Sequence, residues 1–542
     1  MRLPLLLLLA PALVLAQGMG SGKRPSTSKP NGRIPNPPVF LFKDIAQASG
    51  LTAKHSYGDG TSRHILSMTG NGLAVLDFNN DSHPDLLFND GRAPVLYKNN
   101  GAGVFSNATP ASGLTSNEWG QGVCAGDIDN DGWTDVLLTS YGPSRLFRNN
   151  RGKFEPLPFP QPGQHLSTSC AFLDYDRDGL LDLIISNYVA FDLNNAHKPG
   201  ATKFCTWEGL DVFCGPRGFP TDRPQLFHNE GNGYFKDVSA QALKNIEGLH
   251  YGLGVAVADF DNDAFPDIYI ACDSTPGLLL RNNKDGTFTD VAVEAGAAYG
   301  ADGEELGSMG VAAADIDGDG NLDIVKSNFI NETPSYYRNL GDWFFLDATQ
   351  PSGLGADASK VGWGLGVLDL DQNGKPDLFI ANGHIYPELG PKFKQPKSVY
   401  WNAGGLFASF QAGAPAASRG LAIADLDHDG LPEIIVANLN APPSLFKITG
   451  PKNPSFALQL EGTKSNRSAI GARVTANKQT QEVTSGASYA SQSELTLHFA
   501  GDAEEVQIRW PNGTIEKLGP LKSGALYHVK EGAGVTSRTP WR

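Results

Sequence analysis

Seven nine-residue segments of this chain carry acidic or amide oxygens at positions one, three, five and nine. They are Asp77, Asn79, Asp81 and Asp85; Asp127, Asp129, Asp131 and Asp135; Asp174, Asp176, Asp178 and Asp182; Asp259, Asp261, Asp263 and Asp267; Asp315, Asp317, Asp319 and Asp323; Asp369, Asp371, Asn373 and Asp377; and Asp425, Asp427, Asp429 and Glu433. Carboxylates spaced this closely repel one another unless a hard cation sits among them. Ca²⁺ takes six to eight oxygens at about 2.3–2.6 Å, a number that four side chains, a position-seven carbonyl and a water supply. Mg²⁺ prefers a tighter octahedron with retained waters, and Zn²⁺ would call for His or Cys. The spacing therefore predicts up to seven Ca²⁺ sites. Gly132, Gly179, Gly320, Gly374 and Gly430 at position six permit the sharp turn. Ser82 and Ala264 replace that glycine, which marks the first and fourth sites as strained or weaker.

The segments start like an EF-hand loop, but that loop ends on a Glu at position twelve and lies between helices. Here the last acid is at position nine and short apolar runs follow, among them Leu86-Leu87-Phe88, Val136-Leu137-Leu138, Leu183-Ile184-Ile185 and Ile434-Ile435-Val436. Bounded by turn residues, such runs read as strands. A small-residue strand precedes each loop, as in Gly254-Val255-Ala256-Val257 and Gly310-Val311-Ala312-Ala313. A third strand follows, as in Leu146-Phe147-Arg148-Asn149, and then a fourth around Phe105, Phe154, Phe235, Phe288 or Phe345. Four short strands recurring about every 50 residues fit a β-propeller blade. The fourth-strand motif Phe42-Lys43-Asp44-Ile45 comes before any loop, and the seventh unit lacks one after Leu445-Phe446-Lys447. The N-terminal segment is thus expected to complete the last blade. The fold class expected is all-β: a seven-bladed propeller over residues 39–450 followed by a small β-sandwich-like domain. The longer third unit predicts a surface excursion over residues 187–222, stapled by Cys205 and Cys214 in an oxidising compartment, with a covering flap as the equal alternative.

Export is read from the start of the chain. Arg2, the apolar run 3–15 and the small residue Ala16 make a signal peptide over residues 1–16, too short an apolar run to span a bilayer. Residues 17–38, rich in Gly, Ser, Pro and Lys, read as a flexible leader. Cys124, Cys170 and Cys272 lie in apolar runs and are expected as buried free thiols. The formal net charge of −15 argues against nucleic acid or an anionic membrane as partner. No nucleophile elbow, phosphate loop or His-Glu-x-x-His motif is present. An enzyme reading would rest on His250 and His384 converging near the propeller axis, and a carbohydrate reading on Trp119, Trp363 or Trp401.

The loops, the openings Tyr251-Gly252-Leu253-Gly254-Val255 and Trp363-Gly364-Leu365-Gly366-Val367, and the stretch Asn382-Gly383-His384-Ile385-Tyr386-Pro387 resemble the FG-GAP/VCBS repeat proteins of the cartilage acidic protein type. Residues 451–530 resemble the ASPIC/UnbV domain through Ser465-Asn466-Arg467-Ser468-Ala469-Ile470-Gly471-Ala472-Arg473-Val474, Gly486-Ala487-Ser488-Tyr489-Ala490-Ser491-Gln492-Ser493 and Val506-Gln507-Ile508-Arg509-Trp510-Pro511-Asn512-Gly513. Residues 531–542 are expected as a tail. The resemblance implies calcium binding and an extracytoplasmic interaction, adhesion or scaffold module with a protein or glycan partner, not an enzyme; an enzyme or carbohydrate site at the axis is the alternative.

Overall fold

The computed structural model describes residues 34–55, 64–91 and 93–542. The expected signal peptide and the leader up to residue 33 lie outside the described residues. The rest is all-β, and its sheets are repeated and four-stranded. Seven of them follow the seven acidic segments, with inner strands Leu73–Leu76, Trp119–Gly126, Ser167–Leu173, Gly252–Ala258, Ser308–Ala314, Gly362–Leu368 and Ser418–Ala424. Each inner strand runs into its acidic loop, and the second strand begins at the loop's ninth residue, as at Asp85–Asp90 and Glu433–Asn438. The outer strand of the seventh sheet is Leu41–Asp44, which pairs antiparallel with Ser444–Thr449 through Leu41↔Thr449 and Asp44↔Phe446.

Successive inner strands lie side by side, and the seventh lies against the first. Apolar side chains fill the junctions between sheets. Ala422, Ala424 and Ile435 of the seventh meet Leu73, Val75 and Leu86 of the first. Small residues set the spacing. A Cβ on Gly310 would stand 2.2 Å from the Trp363 carbonyl oxygen of the next sheet, so a side chain there would push the sheets apart. These are propeller-like repeats.

Hydrogen bonds carry the repeat from one sheet to the next. The Asn at the end of the third strand is buried, and its Nδ2 donates twice. Asn149 donates to Thr134 O of its own loop at 3.1 Å and to Phe78 O of the preceding loop at 2.8 Å. Asn229, Asn282, Asn339 and Asn402 do the same. Asn99 reaches back to Leu426 O in the seventh loop at 2.8 Å.

Residues from 455 onward form two further four-stranded sheets. One contains Ser455–Glu461 paired in parallel with Ala525–Lys530, and the other contains Arg473–Ala476 paired with Val506–Arg509. Phe456, Leu458, Val474, Val506, Ile508 and Trp510 share one core between them. The residues expected as a tail differ from expectation, because Gly534–Pro540 is a strand paired with Ala525–Lys530. Alternating small and polar residues had hidden it.

The C-terminal unit also sends residues 484–496 in among the inner strands of the repeats. In six inner strands the register shifts by a bulge, which turns backbone N–H groups away from the ladder. The inserted segment accepts several of these. Val123 N donates to Ala490 O at 3.2 Å, and Val311 exchanges bonds with Ser488 in both directions. Leu73 exchanges N–H and carbonyl partners with Ser491 and Gln492, and Gln492 is clamped between the N and O of Ala125. Tyr489 is wholly buried, with its ring 4.8 Å from that of Trp363.

One expectation is corrected and one pair of alternatives is resolved. Cys124 and Cys170 are not free thiols: they form a disulfide between the inner strands of the second and third sheets, with Cα atoms 5.9 Å apart. Their apolar surroundings concealed the pairing, because neighbouring inner strands meet only once the ring forms. Cys205 and Cys214 are bonded as expected, and Cys272 is buried and free. The stretch 187–222 is exposed over 192–195 and 197–203, while its buried part forms the covering flap. Its Tyr188, Val189, Phe191, Trp207, Val212 and Phe213 pack with Leu253, Met309, Trp363 and Tyr489 over the end of the axis opposite the acidic loops. Burying this aromatic surface outweighs the polar turn residues that made the stretch read as exposed.

The Asn bridge is testable. Replacing Asn339 by Ala leaves Phe260 O and Leu322 O without their donor, and the expected loss is about 2–3 kcal/mol in urea unfolding. An unchanged midpoint would show that the bridge contributes nothing.

Candidate metal centre

Each acidic loop is a turn folded around its own first carboxylate. In the second loop Asp127 accepts the N–H of Asp131 at 3.0 Å and of Gly132 at 2.8 Å, and the first, fourth, sixth and seventh loops repeat the pair. Position six takes a left-handed backbone throughout, at φ 92° for Gly132 and at φ 65° and 72° for Ser82 and Ala264. The two substituted loops thus keep the turn at a cost of about 1–2 kcal/mol each for a side chain in that conformation.

The ninth residue is the buried end of the loop. Asp135 Oδ2 accepts Ile128 N at 3.0 Å and its Oδ1 accepts Asn149 N at 2.6 Å. Asp85, Asp182, Asp267, Asp323 and Asp377 hold the same two bonds, and Glu433 keeps the first. With no cation present, burial pushes Asp85, Asp135, Asp323 and Glu433 up to about 8, and the neighbouring acids push the same way. Backbone donors offset part of that rise. Asp267 and Asp377 are raised well above the ordinary carboxylate range for the same reason.

In four of the loops, three of the residues at positions one, three, five and nine come together. Asp127, Asp129 and Asp135 offer oxygens within 4.8 Å of one another, as do Asp174, Asp176 and Asp182; Asp259, Asp261 and Asp263; and Asp315, Asp317 and Asp319. That separation suits oxygens on one cation with bonds of about 2.3–2.6 Å. Asp174 Oδ1, Asp371 Oδ1, Asn373 Oδ1 and Asp427 Oδ1 are buried with no hydrogen-bond partner. A buried acceptor without a donor is costly, and a cation removes that cost. The donors at positions one, three, five and nine are all oxygen, which fits a hard ion; at the third loop His228 also lies with Asp176 and Asp178.

One feature of these loops escaped the sequence reading. The third strand places a basic side chain over most of them: Lys98 on Asp81, Arg148 on Asp129 and Asp131, His228 on Asp176 and Asp182, Arg338 on Asp317 and Asp319, and Lys447 on Asp427, Asp429 and Glu433. The signal was the residue before the third-strand Asn, which is Lys, Arg or His in four of these five strands. Part of the acidic charge is therefore met within the chain. Among the described residues the sixth loop has no basic partner; Trp401 Nε1 donates to Asp371 at 3.2 Å.

The histidines of the enzyme reading do not converge. His250 lies at a rim, bonded to the carbonyls of Glu247 and Pro276. His384 is enclosed by Trp207, Phe329 and Tyr386, and burial pushes it down to about 3. Trp363 is packed against Tyr489 and Arg419.

Comparison with known proteins agrees with this architecture. The FG-GAP-like repeat matches residues 77–138, 127–185, 209–270 and 259–325, and ASPIC and UnbV matches residues 462–536. Cartilage acidic protein 1 of Xenopus tropicalis is 22% identical over 488 residues, which cover 82% of this chain and 70% of that protein. The Homo sapiens protein of the same name is 24% identical over 447 residues, 76% of this chain and 62% of its own length. The chain thus spans less than two thirds of the human relative. Among solved structures, that of BBS1N in complex with ARL6DN has a TM-score of 0.42 at 10% identity and covers 72% of this chain and 96% of that one, a likeness too distant to carry any property across. The chain is built of FG-GAP-like repeats followed by a C-terminal ASPIC and UnbV domain.

Proposed function

We propose that this chain is a secreted, calcium-loaded β-propeller of seven blades that acts as an interaction or scaffold module, with a protein or glycan partner on a cell surface or in the extracellular matrix. The observation that carries the reading is the set of oxygen-lined loops in front of an axis filled from both ends. Residues 484–496 enter it from the loop side, and residues of the 187–222 stretch cover the opposite end. An axial channel, where an active site or sugar site would lie, is taken up by the chain's own side chains. What is left for a partner is the outside of the ring and of the C-terminal unit.

Two disulfides suit an oxidising compartment. Among the described residues no helix is long and apolar enough to cross a membrane. Residues 1–16 are taken as the signal peptide, 17–38 as the leader and 39–450 as the propeller, with the 451–530 domain extended to the end of the chain. The loop ligands are taken to be the acids and amides at positions one, three, five and nine. Calcium bound there supplies positive charge and fixes the loop conformation; the chain supplies the geometry and the turn. Seven ions would bring fourteen positive charges to a chain of formal charge −15.

Two outcomes follow from this reading. A cation that binds only the folded chain stabilises it by about 2.7 kcal/mol per site at a hundredfold excess over Kd. The melting temperature in EGTA is therefore expected to fall sharply from its value in calcium, and superimposable melting curves would refute the reading. The second outcome concerns protons. The ninth-position acids hold protons up to about pH 8 in the cation-free chain, whereas unfolded carboxylates lose theirs near 4. The cation-free fold thus binds more protons than the unfolded chain between those values, and its stability falls as pH rises through that window. Calcium needs the ionised acids, so adding it at pH 7 should release protons, and the release should fade above about pH 9. Calcium uptake at pH 7 without proton release, measured in weakly buffered solution, would contradict the assignment of these acids.

A further inference from the structure

The C-terminal unit rests on the acidic loops, and its contacts differ from loop to loop. At the second, fourth and seventh loops it accepts the backbone N–H of the first acid. Ser468 Oγ takes Asp127 N at 3.1 Å, Glu482 takes Asp259 N at 3.2 Å and Glu494 takes Asp425 N at 2.8 Å. At the second loop a guanidinium meets the first carboxylate only at long ion-pair distance. Arg467 Nε stands 3.9 Å from Asp127, and its Nη2 is held by Glu461 at 3.0 Å.

The fourth loop is different. Arg509 Nη2 is in direct contact with Asp259 Oδ2, and its Nη1 donates to Asn262 O at 3.1 Å. Arg473, held by buried Glu482 at 2.8 Å, donates to Asp259 O and touches Asn262 Oδ1. The other acids of the loop are met as well. Lys284 Nζ lies 2.7 Å from Asp263 Oδ2, and Trp343 Nε1 donates to Asp261 Oδ2 at 3.1 Å. Positions one, three and five therefore each have a donor from this chain. The sixth loop is the opposite case, since Asp371 Oδ1 and Asn373 Oδ1 are buried and meet no donor.

A divalent ion in the fourth loop would share the Asp259 carboxylate with a guanidinium and stand close to an ammonium. Like charges at that range in a half-buried site repel strongly. We infer that Arg509 holds the fourth loop in place of a divalent cation and makes it the anchor of the C-terminal unit, whereas the sixth loop is a full cation site. This rests on the calcium reading above. It also gives the Ala264 loop a role that does not depend on ion affinity.

The test is a count of bound Ca²⁺ per chain by equilibrium dialysis on the full-length protein. Freed of its arginine, the R509Q chain is expected to bind about one more ion than the unaltered protein, R509K the same number, and D371A about one fewer. R509Q equal to the unaltered protein while D371A loses an ion would overturn the arginine assignment and leave the calcium reading intact. A chain that binds no Ca²⁺ at all would overturn both. Should R509Q not fold, the matched position-three pair decides: D371A is expected to lose an ion and D261A to lose none, and loss of one in D261A would overturn the assignment.

Discussion

The buried carboxylate at the ninth loop position is the constraint on which the rest of this molecule depends. It joins three pieces of backbone that are distant in each repeat: the turn after the inner strand, the start of the second strand and the end of the third. In Asp135 these are Ile128 N, the strand it begins and Asn149 N. The same Asn then bridges to the neighbouring loop. A carboxylate removed from water and aimed at fixed N–H groups leaves little freedom to a loop, and repetition passes that order round the ring. The open end of the loop is set by this buried end.

Much of this was legible in the sequence because it is local. The spacing from acid to acid, the apolar run after Asp85 or Asp182, and the Asn closing the third strand each report on a few neighbouring residues. The outer strand at Leu41–Asp44 was legible because its motif belongs to a unit otherwise incomplete. What stayed hidden depends on residues that meet only when the ring has formed. Cys124 and Cys170 stand in different repeats, and each looks like a core residue by itself. Residues 484–496 are mostly small and polar, and nothing local marks them as a segment that others pack around. Their role becomes visible only beside the N–H groups that the bulged inner strands turn inward. In the 187–222 stretch, the aromatic residues Phe191, Trp207 and Phe213 were the signal of burial, and the length of the excursion masked it.

The acidic loops are at once a row of clustered oxygens and the floor on which the C-terminal unit stands. Position-one acids of three loops give their N–H groups to that unit while their carboxylates turn into the loop. Whatever sets the loop conformation, an ion or a guanidinium, therefore also sets the footing of the sandwich. By linkage the coupling is reciprocal: a docked sandwich favours the ion-ready loop as much as the ion-ready loop favours docking.

The inserted segment also fixes an order of events in time. A chain that emerges from its N-terminus delivers all seven sheets before residue 484 is available. Until then the inner strands carry inward N–H groups without acceptors, and Leu253, Met309 and Trp363 lack the Tyr489 ring that covers them in the finished molecule. A chain lacking residues 484–496 would leave those N–H groups without these acceptors and those side chains without this cover.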